Sequence, residues 1–397
     1  MKILVIHNGY RVPGGDQVVV DQECKLLRAG GHEVVLYYRS NKETESYTGL
    51  KQLVVLKQML WAGDVRHEIA DLVRSEKPDI AHIHNTFIVI SPSIYSALHG
   101  AGVPVVQSLH DYRLFCPAAF FYRHGHTCEE CVDHGVWRGV LHACYRESRG
   151  ATAAVAATLV LHHGAGTWAN NVDRFIALTQ FAREKFIRAG LPAERISVKP
   201  NFIYADYSPN AEHDSDYAIY AGRLAPEKGV DVLLRAWSKV KERIPLLIVG
   251  DGPSLPGLRS LAEDLGLKNI DFAGRLSWDQ TLGAMQKARF LLFPSVSYEG
   301  FPMTIVEAFA CAKSVICTRL GSMPEIVQHG RTGLTFEPGS VDEFADRIDW
   351  ALANPQELRA MGKEARKEYE HRYSPETNYK LLMGIYQRAM RERNAVG

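Results

Sequence analysis

Two glutamates, Glu299 and Glu307, flank the start of a predicted helix and are separated by seven residues. The apolar run 290–293 predicts a buried parallel strand that stops at Pro294. Because Pro302 suits the first turn of a helix, the segment predicts a strand, a loop and a helix N-terminus in succession. Backbone N–H groups at such an end favour phosphate, and carboxylates accept hydrogen bonds from hydroxyls. The pattern suits a nucleotide sugar, although glutamates at this spacing also occur on solvated helix faces.

A second loop carries two cations, Arg223 and Lys228, between a predicted strand that ends at Gly222 and a helix that begins after Gly229. A guanidinium can contact two phosphate oxygens at once, whereas a lysine ammonium is a mobile point charge. Together with the helix end, the two side chains could hold a diphosphate without a metal. The alternative is a pair of solvated surface cations.

The N-terminal half contributes a histidine and a glycine pair at the ends of predicted strands. His110 follows the predicted strand 103–109, and ligands of open α/β sheets bind outside the carboxyl ends of the strands. A histidine hydrogen-bonded within its loop is the alternative. Gly14 and Gly15 precede a predicted helix, where the missing Cβ atoms let the backbone approach a ligand or simply permit a turn.

Four cysteines, Cys116, Cys128, Cys131 and Cys144, lie in one segment of the N-terminal half. The spacing of the central two is typical of metal ligands, so the set suits a tetrahedral zinc site or a small cluster. We expect such a metal to be structural. It would cross-link a long loop near His110 and take no part in catalysis. The alternatives are reduced cysteines packed as small hydrophobic residues, or a thiol pair in an exposed loop.

Predicted strands and helices alternate along the chain, as doubly wound parallel sheets require. The 397 residues suffice for two domains, each with its own core. We predict an N-terminal domain over residues 1–205, which includes a helical segment over 137–163, and a C-terminal domain over 206–374. The stretch 204–215 is predicted to be a linker, and the final helix, 375–397, carries an apolar stripe that must be buried.

Composition excludes several functional classes. A net charge of +1 gives no global field for nucleic acid. The N-terminal apolar run is too short for a signal peptide, and residues 151–161 are too few to span a bilayer. We therefore expect a cytoplasmic protein with reduced cysteines, and leave open a contact with the inner face of a membrane. The glycine turn at 250–252 has Leu255 where a dinucleotide fingerprint needs its third glycine, which disfavours a nicotinamide-dependent oxidoreductase.

These motifs resemble one known family. Glu-Gly-Phe-Pro at 299–302 with Glu307, and Gly-Arg-Leu at 222–224 with Glu-Lys-Gly at 227–229, are similar to the signatures of retaining GT-B glycosyltransferases of family four. This is the glycosyltransferase group 1 set that includes glycogen synthases and phosphatidylinositol mannosyltransferases. Ser-Leu-His-Asp at 108–111 resembles the strand end whose histidine contacts the donor sugar in that family. The resemblance covers essentially the whole chain, but residues 311–314 lack the glycine and proline that are usual there.

The resemblance implies an α/β fold of GT-B type, with two Rossmann-like domains facing across a cleft and a last helix that crosses back to the first domain. It implies retaining transfer of a hexosyl group from a UDP- or GDP-sugar to a hydroxyl acceptor. The acceptor would be a glycan or a lipid-linked intermediate of cell-envelope polysaccharide synthesis. Catalysis would need no cofactor. A GT-B epimerase, or another enzyme that processes sugar nucleotides, is the alternative.

The resemblance also implies residue roles. His110, Arg223, Lys228 and Glu299 would be catalytic, and the leaving phosphate would act as the base in a front-face attack. Glu307 would hold the ribose hydroxyls. The implied donor-binding set is Gly14, Gly15, Gly222, Arg223, Lys228, Gly252, Arg275, Leu276, Glu299, Gly300, Phe301, Pro302, Met303, Thr304 and Glu307.

Overall fold

The computed structural model describes residues 1–11, 14–49, 51–204, 216–242 and 244–396. Apart from Tyr204, the predicted linker at 204–215 lies outside the described residues. The strands are β1 (Lys2–Gly9), β2 (Glu33–Ser40), β3 (Ile80–Asn85), β4 (Val105–Leu109), β5 (Tyr122–Arg123), β6 (His126–Thr127), β7 (Arg174–Ala177), β8 (Ile196–Val198), β9 (Ala218–Ala221), β10 (Leu246–Val249), β11 (Ile270–Gly274), β12 (Leu291–Phe293), β13 (Val315–Thr318) and β14 (Gly333–Phe336).

Helices follow most of these strands. They are α1 (Gly15–Ala29), α2 (Lys51–Leu60), α3 (Gly63–Glu76), α4 (Ile94–Gly100), α5 (Glu130–His134), α6 (Trp137–Leu141), α7 (Arg149–Gly164), α8 (Thr167–Asn171), α9 (Gln180–Arg188), α10 (Val230–Lys239), α11 (Leu255–Asp264), α12 (Trp278–Lys287), α13 (Met303–Ala310), α14 (Met323–Ile326), α15 (Val341–Ala353), α16 (Pro355–Glu368) and α17 (Pro375–Val396). A π-helical turn, Tyr369–Tyr373, links the last two.

The first compact unit, unit 1, comprises Met1–Phe121, Glu129–Asn201 and Pro375–Gly397. Its parallel sheet has the order β2-β1-β3-β4-β7-β8. The strand order reverses between β1 and β3, which is the switch point where open sheets bind ligands. α17 packs on α1 and β4 of the same unit and buries its apolar stripe there, including Leu382 and Tyr386.

One predicted element of unit 1 is wrong. Residues 137–163 do not form one helical segment, because α6 ends at Leu141 and α7 begins at Arg149. Between them Ala143, Arg146 and Glu147 adopt left-handed backbone angles, which a continuing α-helix excludes. Ser148 then caps α7, since its side chain accepts a hydrogen bond from the Ala151 N–H at 3.2 Å.

The second compact unit, unit 2, comprises Phe202–Ser374 and the short segment Tyr122–Cys128, which holds the antiparallel β5–β6 hairpin. Its parallel sheet has the order β11-β10-β9-β12-β13-β14, with the switch point between β9 and β12. Successive residues of β9 face opposite sides: Tyr220 joins one apolar cluster and Ile219 the other. The predicted α/β class with two Rossmann-like domains is therefore confirmed.

Candidate functional site

The loop after β9 lies at the carboxyl edge of the unit 2 sheet. Gly222 donates its N–H to the Val249 carbonyl at 3.0 Å, and Leu224 donates to the Asp251 carbonyl at 2.9 Å. The Tyr220 hydroxyl donates to the carbonyl of Arg223 at 3.0 Å. The Arg223 side chain itself is exposed. The backbone of the loop is therefore fixed while the guanidinium remains open to solvent.

Two glycines let the loop approach its neighbours closely. Gly229 has a φ of +65°, and a Cβ there would lie 2.2 Å from the Pro294 carbonyl oxygen. A Cβ on Gly252 would lie 2.3 Å from the carbonyl oxygen of Leu224. Both distances are too short for any side chain. The loops after β9, β10 and β12 thus pack together at separations that only glycine permits.

Lys228 and Glu299 form an ion pair at the switch point. The Lys228 ammonium donates to both carboxylate oxygens of Glu299, at 2.8 and 2.9 Å. The Ser295 hydroxyl also donates to Glu299, at 2.6 Å, and the Val296 N–H donates to the Glu227 carbonyl at 3.0 Å. The two ionic side chains keep 24% and 13% of their surface exposed. The structure therefore joins the two charged motifs of the sequence at one place.

Helix α13 begins beside this pair. It starts at Met303 with Pro302 as its N-cap, and this residue provides no side-chain capping hydrogen bond. The N–H groups of Met303 and Thr304 accordingly have no intrahelical acceptor. Gly300 and Phe301, in the preceding loop, are half-buried. The predicted order of loop carboxylate, helix start and helix carboxylate is present.

Glu307 lies in the second turn of α13 and is half-buried. Burial raises the pKa of this carboxyl, and a hydrogen bond from the Trp278 indole at 3.0 Å opposes the rise. Trp278 opens α12, just after the exposed Arg275 and the half-buried Leu276. The predicted donor-binding residues from Gly222 to Glu307 therefore all belong to unit 2 and follow the carboxyl ends of its strands.

In unit 1, His110 follows the carboxyl end of β4. Its Nε2 lies 2.9 Å from Nδ1 of His84, and the two rings stack with centroids 5.2 Å apart. Burial, followed by the neighbouring His84, holds the pKa of His110 well below 6.5. The imidazole is therefore neutral at physiological pH.

Behind these histidines lies a buried ion pair that the sequence did not reveal. Lys199 donates to Glu23 Oε2 and to Asn378 Oδ1, each at 3.0 Å. The other oxygen of Glu23 lies 2.8 Å from His82 Nδ1 and 3.3 Å from His84 Nε2. Although burial alone would raise it, the pKa of Glu23 lies well below 4.5 because of Lys199 and His82. The sequence signal for this buried cluster is the pair of histidines, His82 and His84, at the end of a predicted strand.

Glu23, His82 and His84 are also the group, among the described residues, whose ligand atoms lie within 4.8 Å of one another and could hold a metal. The Lys199 ammonium, 3.0 Å from the same carboxylate, opposes a further cation there.

The remaining predicted residues also lie outside the group from Gly222 to Glu307. Gly14 and Gly15 are exposed at the start of α1 in unit 1. A Cβ on Gly14 would meet only the flexible Asp16 side chain, at 2.9 Å. The backbone conformation therefore does not require glycine at residue 14.

The four cysteines divide between the units. Cys116, Cys131 and Cys144 lie in unit 1, whereas Cys128 lies in unit 2. Burial raises the pKa of the Cys116 thiol, a shift that a coordinated zinc ion would itself reverse by deprotonating the thiol. The four-thiolate site stays a prediction.

Two family models match the chain. The Glycosyltransferase Family 4 model matches residues 13–207, and the model for glycosyl transferases group 1 matches residues 206–368. The two ranges meet where unit 1 gives way to unit 2.

Curated relatives match over part of their length. A GDP-mannose-dependent alpha-(1-6)-phosphatidylinositol monomannoside mannosyltransferase of Mycobacterium tuberculosis is 30% identical over 54% of this chain and 60% of that protein. A lipopolysaccharide 1,2-N-acetylglucosaminetransferase of Salmonella typhimurium is 31% identical over 52% of this chain and 59% of that protein. An uncharacterized glycosyltransferase of Methanocaldococcus jannaschii is 36% identical over 44% and 48%. The chain thus spans about half the length of these relatives.

Solved structures share the fold over the whole chain. A sucrose-phosphate synthase from Thermosynechococcus elongatus has a TM-score of 0.74 and 18% identity, covering 99% of this chain and 100% of that one. Anabaena HepE, crystallised with UDP and glucose, has a TM-score of 0.68 and 18% identity, covering 98% and 99%. These neighbours have the GT-B fold. With both family models matched in sequence, this chain belongs to the group 1 glycosyltransferases of family 4.

Proposed function

We propose that this protein is a retaining glycosyltransferase that moves a hexosyl group from a nucleotide-diphospho-sugar to a hydroxyl acceptor. The observation that carries the proposal is the Lys228–Glu299 ion pair, together with the exposed Arg223 in the loop of Lys228 and the uncapped start of α13 after Glu299. Relatives named as GDP-mannose-dependent, and a structural neighbour crystallised with UDP, support a UDP- or GDP-sugar as the donor. Catalysis on this proposal needs no cofactor.

The ion pair explains how the donor could be received. A diphosphate offers Lys228 stronger partners than Glu299 alone, because it carries more than one negative charge. As Lys228 turns to the phosphates, the Glu299 carboxylate becomes able to accept hydrogen bonds from sugar hydroxyls. Arg223 adds a second cation on the leaving group. Both cations act as negative charge grows on the departing diphosphate, which is electrostatic stabilisation of the transition state.

The helix supplies the remaining contacts to the nucleotide. The free N–H groups at the start of α13 would donate to a phosphate oxygen, and Glu307 would accept from the ribose hydroxyls. In the transfer, a C–O bond forms between the acceptor oxygen and the anomeric carbon as the bond to the diphosphate breaks. A diphosphate oxygen takes the proton of the acceptor hydroxyl, which requires the acceptor and the leaving diphosphate to lie on the same face of the sugar. The anomeric configuration is therefore retained. His110 would contact the transferred sugar.

The test uses the full chain with UDP-glucose and GDP-mannose as probes. We expect one of the two to raise the melting temperature, and the anomeric proton of the product to show the configuration of the donor by NMR. An inverted product would contradict the retaining mechanism. A changed sugar nucleotide formed from donor alone, with no transfer, would instead support the epimerase alternative.

For the acceptor we propose a lipid-linked glycan or glycan intermediate of cell-envelope synthesis, reached at the inner face of a membrane. The outer face of α7 is apolar: Ala153 and Ala157 are exposed, and Val160 and Leu161 expose 63% and 51%. Arg149 begins this face and complements anionic lipid headgroups. None of the described helices combines the length and hydrophobicity that a membrane crossing needs.

Vesicle sedimentation tests this contact. We expect binding to phosphatidylglycerol vesicles that is weakened several-fold in Leu161→Glu. Leu381, which exposes 40% of its surface on α17 of the same unit, provides the control Leu381→Glu. Equal binding of both variants would remove α7 as the contact.

A further inference from the structure

A continuous row of polar groups runs from the interior of unit 1 to His110. It begins at Lys199, passes through Glu23 and His84, and ends at the half-buried imidazole of His110. Lys199 and Glu23 are each 1% exposed, and His84 is 3% exposed. Charges in such a place are tolerated only when they balance.

The charge balance determines where the proton on His84 lies. Lys199 already compensates the Glu23 carboxylate, so a charged His84 would add an unbalanced buried cation. A neutral His84 carries one ring proton. Its Nε2 lies 3.3 Å from the carboxylate and has no other hydrogen-bond partner among the described side chains. The proton therefore belongs on Nε2, facing the negative charge, and Nδ1 is left as an acceptor.

The neighbouring His82, whose Nδ1 lies 2.8 Å from Glu23 Oε1, does not alter this charge balance. Burial lowers its pKa to about 4, so it is neutral at physiological pH. Its Nε2 lies 2.8 Å from the Ser108 hydroxyl, and its Nδ1 lies 2.7 Å from the hydroxyl of Tyr386 on α17. Both ring nitrogens of His82 are thereby engaged within the core.

We propose that Lys199, Glu23 and His84 set the tautomer of His110. Because His84 Nδ1 is an acceptor 2.9 Å from His110 Nε2, His110 must donate from Nε2. Its other nitrogen, Nδ1, then carries no proton and accepts a hydrogen bond from a ligand hydroxyl. The three residues act through His110 and are positioning residues. That the ligand is a sugar rests on the proposed function, whereas the tautomer does not.

The measurement is a long-range ¹H–¹⁵N correlation spectrum of the full chain labelled with ¹⁵N-histidine at pH 7.5. Comparison with His110→Asn assigns the His110 signals. We expect the Nε2–H tautomer in the wild-type protein. In Lys199→Met the carboxylate loses its compensating charge, so His84 should take up a second proton and His110 should reverse to the Nδ1–H tautomer.

Lys185→Met is the matched control, because Lys185 pairs with Glu129 at 2.7 Å in the same unit, and it should leave the tautomer unchanged. A wild-type His110 that is protonated on Nδ1, or on both nitrogens, would overturn the proposal, even if Lys199→Met did not fold. Stoichiometric metal in protein purified without chelator would overturn it too, since Glu23 and His84 would then be ligands. The spectrum needs no substrate, so it can fail independently of the donor screen.

Discussion

Each unit has a switch point in its sheet, and polar residues occupy the two in different ways. In unit 1, the fully buried Asn8 donates to Asn41 at 3.0 Å and accepts from the Val89 and Ile90 N–H groups at 2.9 and 3.1 Å. Its hydrogen-bonding groups are thus taken up by the protein. In unit 2 the corresponding place holds Lys228 and Glu299, which retain exposed surface.

The ion pairs of the two units also differ in their exposure to solvent. Lys199 and Glu23 are 1% exposed and have further partners in Asn378 and His82. Removing either Lys199 or Glu23 would leave the charge of the other buried, with neither an ionic partner nor water to stabilise it. The pair in unit 2 can exchange one partner for a ligand, because water reaches both groups. A fully buried pair therefore holds structure in place, whereas a partly exposed pair of the same chemistry can serve binding.

The largest effect that this comparison predicts concerns stability. Lys199→Met should destabilise unit 1 by about 3–5 kcal/mol, because the buried Glu23 loses the cation that compensates it and a proton must be drawn into the core instead. Urea unfolding followed by hydrogen exchange of unit 1 peptides measures the loss, with Lys185→Met as the control. A change below about 1 kcal/mol would show that Lys199 is not required for burial of Glu23, and the contrast between the units would disappear.

The second prediction concerns activity and unit 2. Arg223→Ala and Lys228→Ala should each lower turnover roughly 100- to 1,000-fold, as loss of one group that stabilises transition-state charge typically does. Lys239→Ala is the control, since Lys239 is an exposed cation of α10 paired with Asp342. Initial rates at saturating donor are the measurement. Wild-type rates in both variants would remove the diphosphate role of this loop.

A third prediction separates the units by pH. Burial lowers the pKa of His7 to about 3 and that of His82 to about 4. The unfolded chain therefore binds more protons below pH 6.5, and unit 1 loses stability as the pH falls. Between pH 7 and pH 6, each of these two histidines should lower the free energy of unfolding by about 0.7 kcal/mol.

Asp16 offsets part of this loss. Burial raises its pKa to about 6, so its protonation favours the folded state as the pH falls through that value. His7, His82 and Asp16 together should still give unit 1 a net loss of about 1 kcal/mol, to which the lowered pKa of His110 adds in the same direction. Urea midpoints at pH 7 and pH 6, followed by hydrogen exchange in each unit, measure it. A unit 1 midpoint that stays constant or rises on acidification would contradict the sign.

The features that sequence could predict are local ones. Arg223 and Lys228 lie between an apolar run and a helix start, and Glu299 follows another such run, so strand and helix rules place all three at one sheet edge. Their meeting follows because carboxyl ends of parallel strands share that edge. The glycine contacts of the β9 loop, by contrast, depend on loop packing that no local pattern encodes.

Other features could not be read from local patterns. Lys199 and Glu23 are 176 positions apart, and each resembles an ordinary charged residue of its strand end or helix. Arginines set among apolar residues over 137–163 predict one helical segment. The break between α6 and α7 comes from residues with left-handed backbone angles, such as Arg146. Arginine has no preference for that conformation, so its presence in the sequence does not indicate the break. The hairpin Tyr122–Cys128 belongs to unit 2 although unit 1 surrounds it in the chain.

The smallest predicted effect is the stability cost of Lys228→Met. Water reaches both groups, and the Ser295 hydroxyl still donates to Glu299 after the ammonium is gone. The loss should be about 1 kcal/mol, the upper end of the range for exposed ion pairs, because the two side chains keep 24% and 13% of their surface exposed. Urea unfolding of unit 2, compared with Lys239→Ala, measures it. A loss as large as that of Lys199→Met would mean that Lys228 is held as a structural cation, and the idea that it exchanges Glu299 for a diphosphate would have to be abandoned.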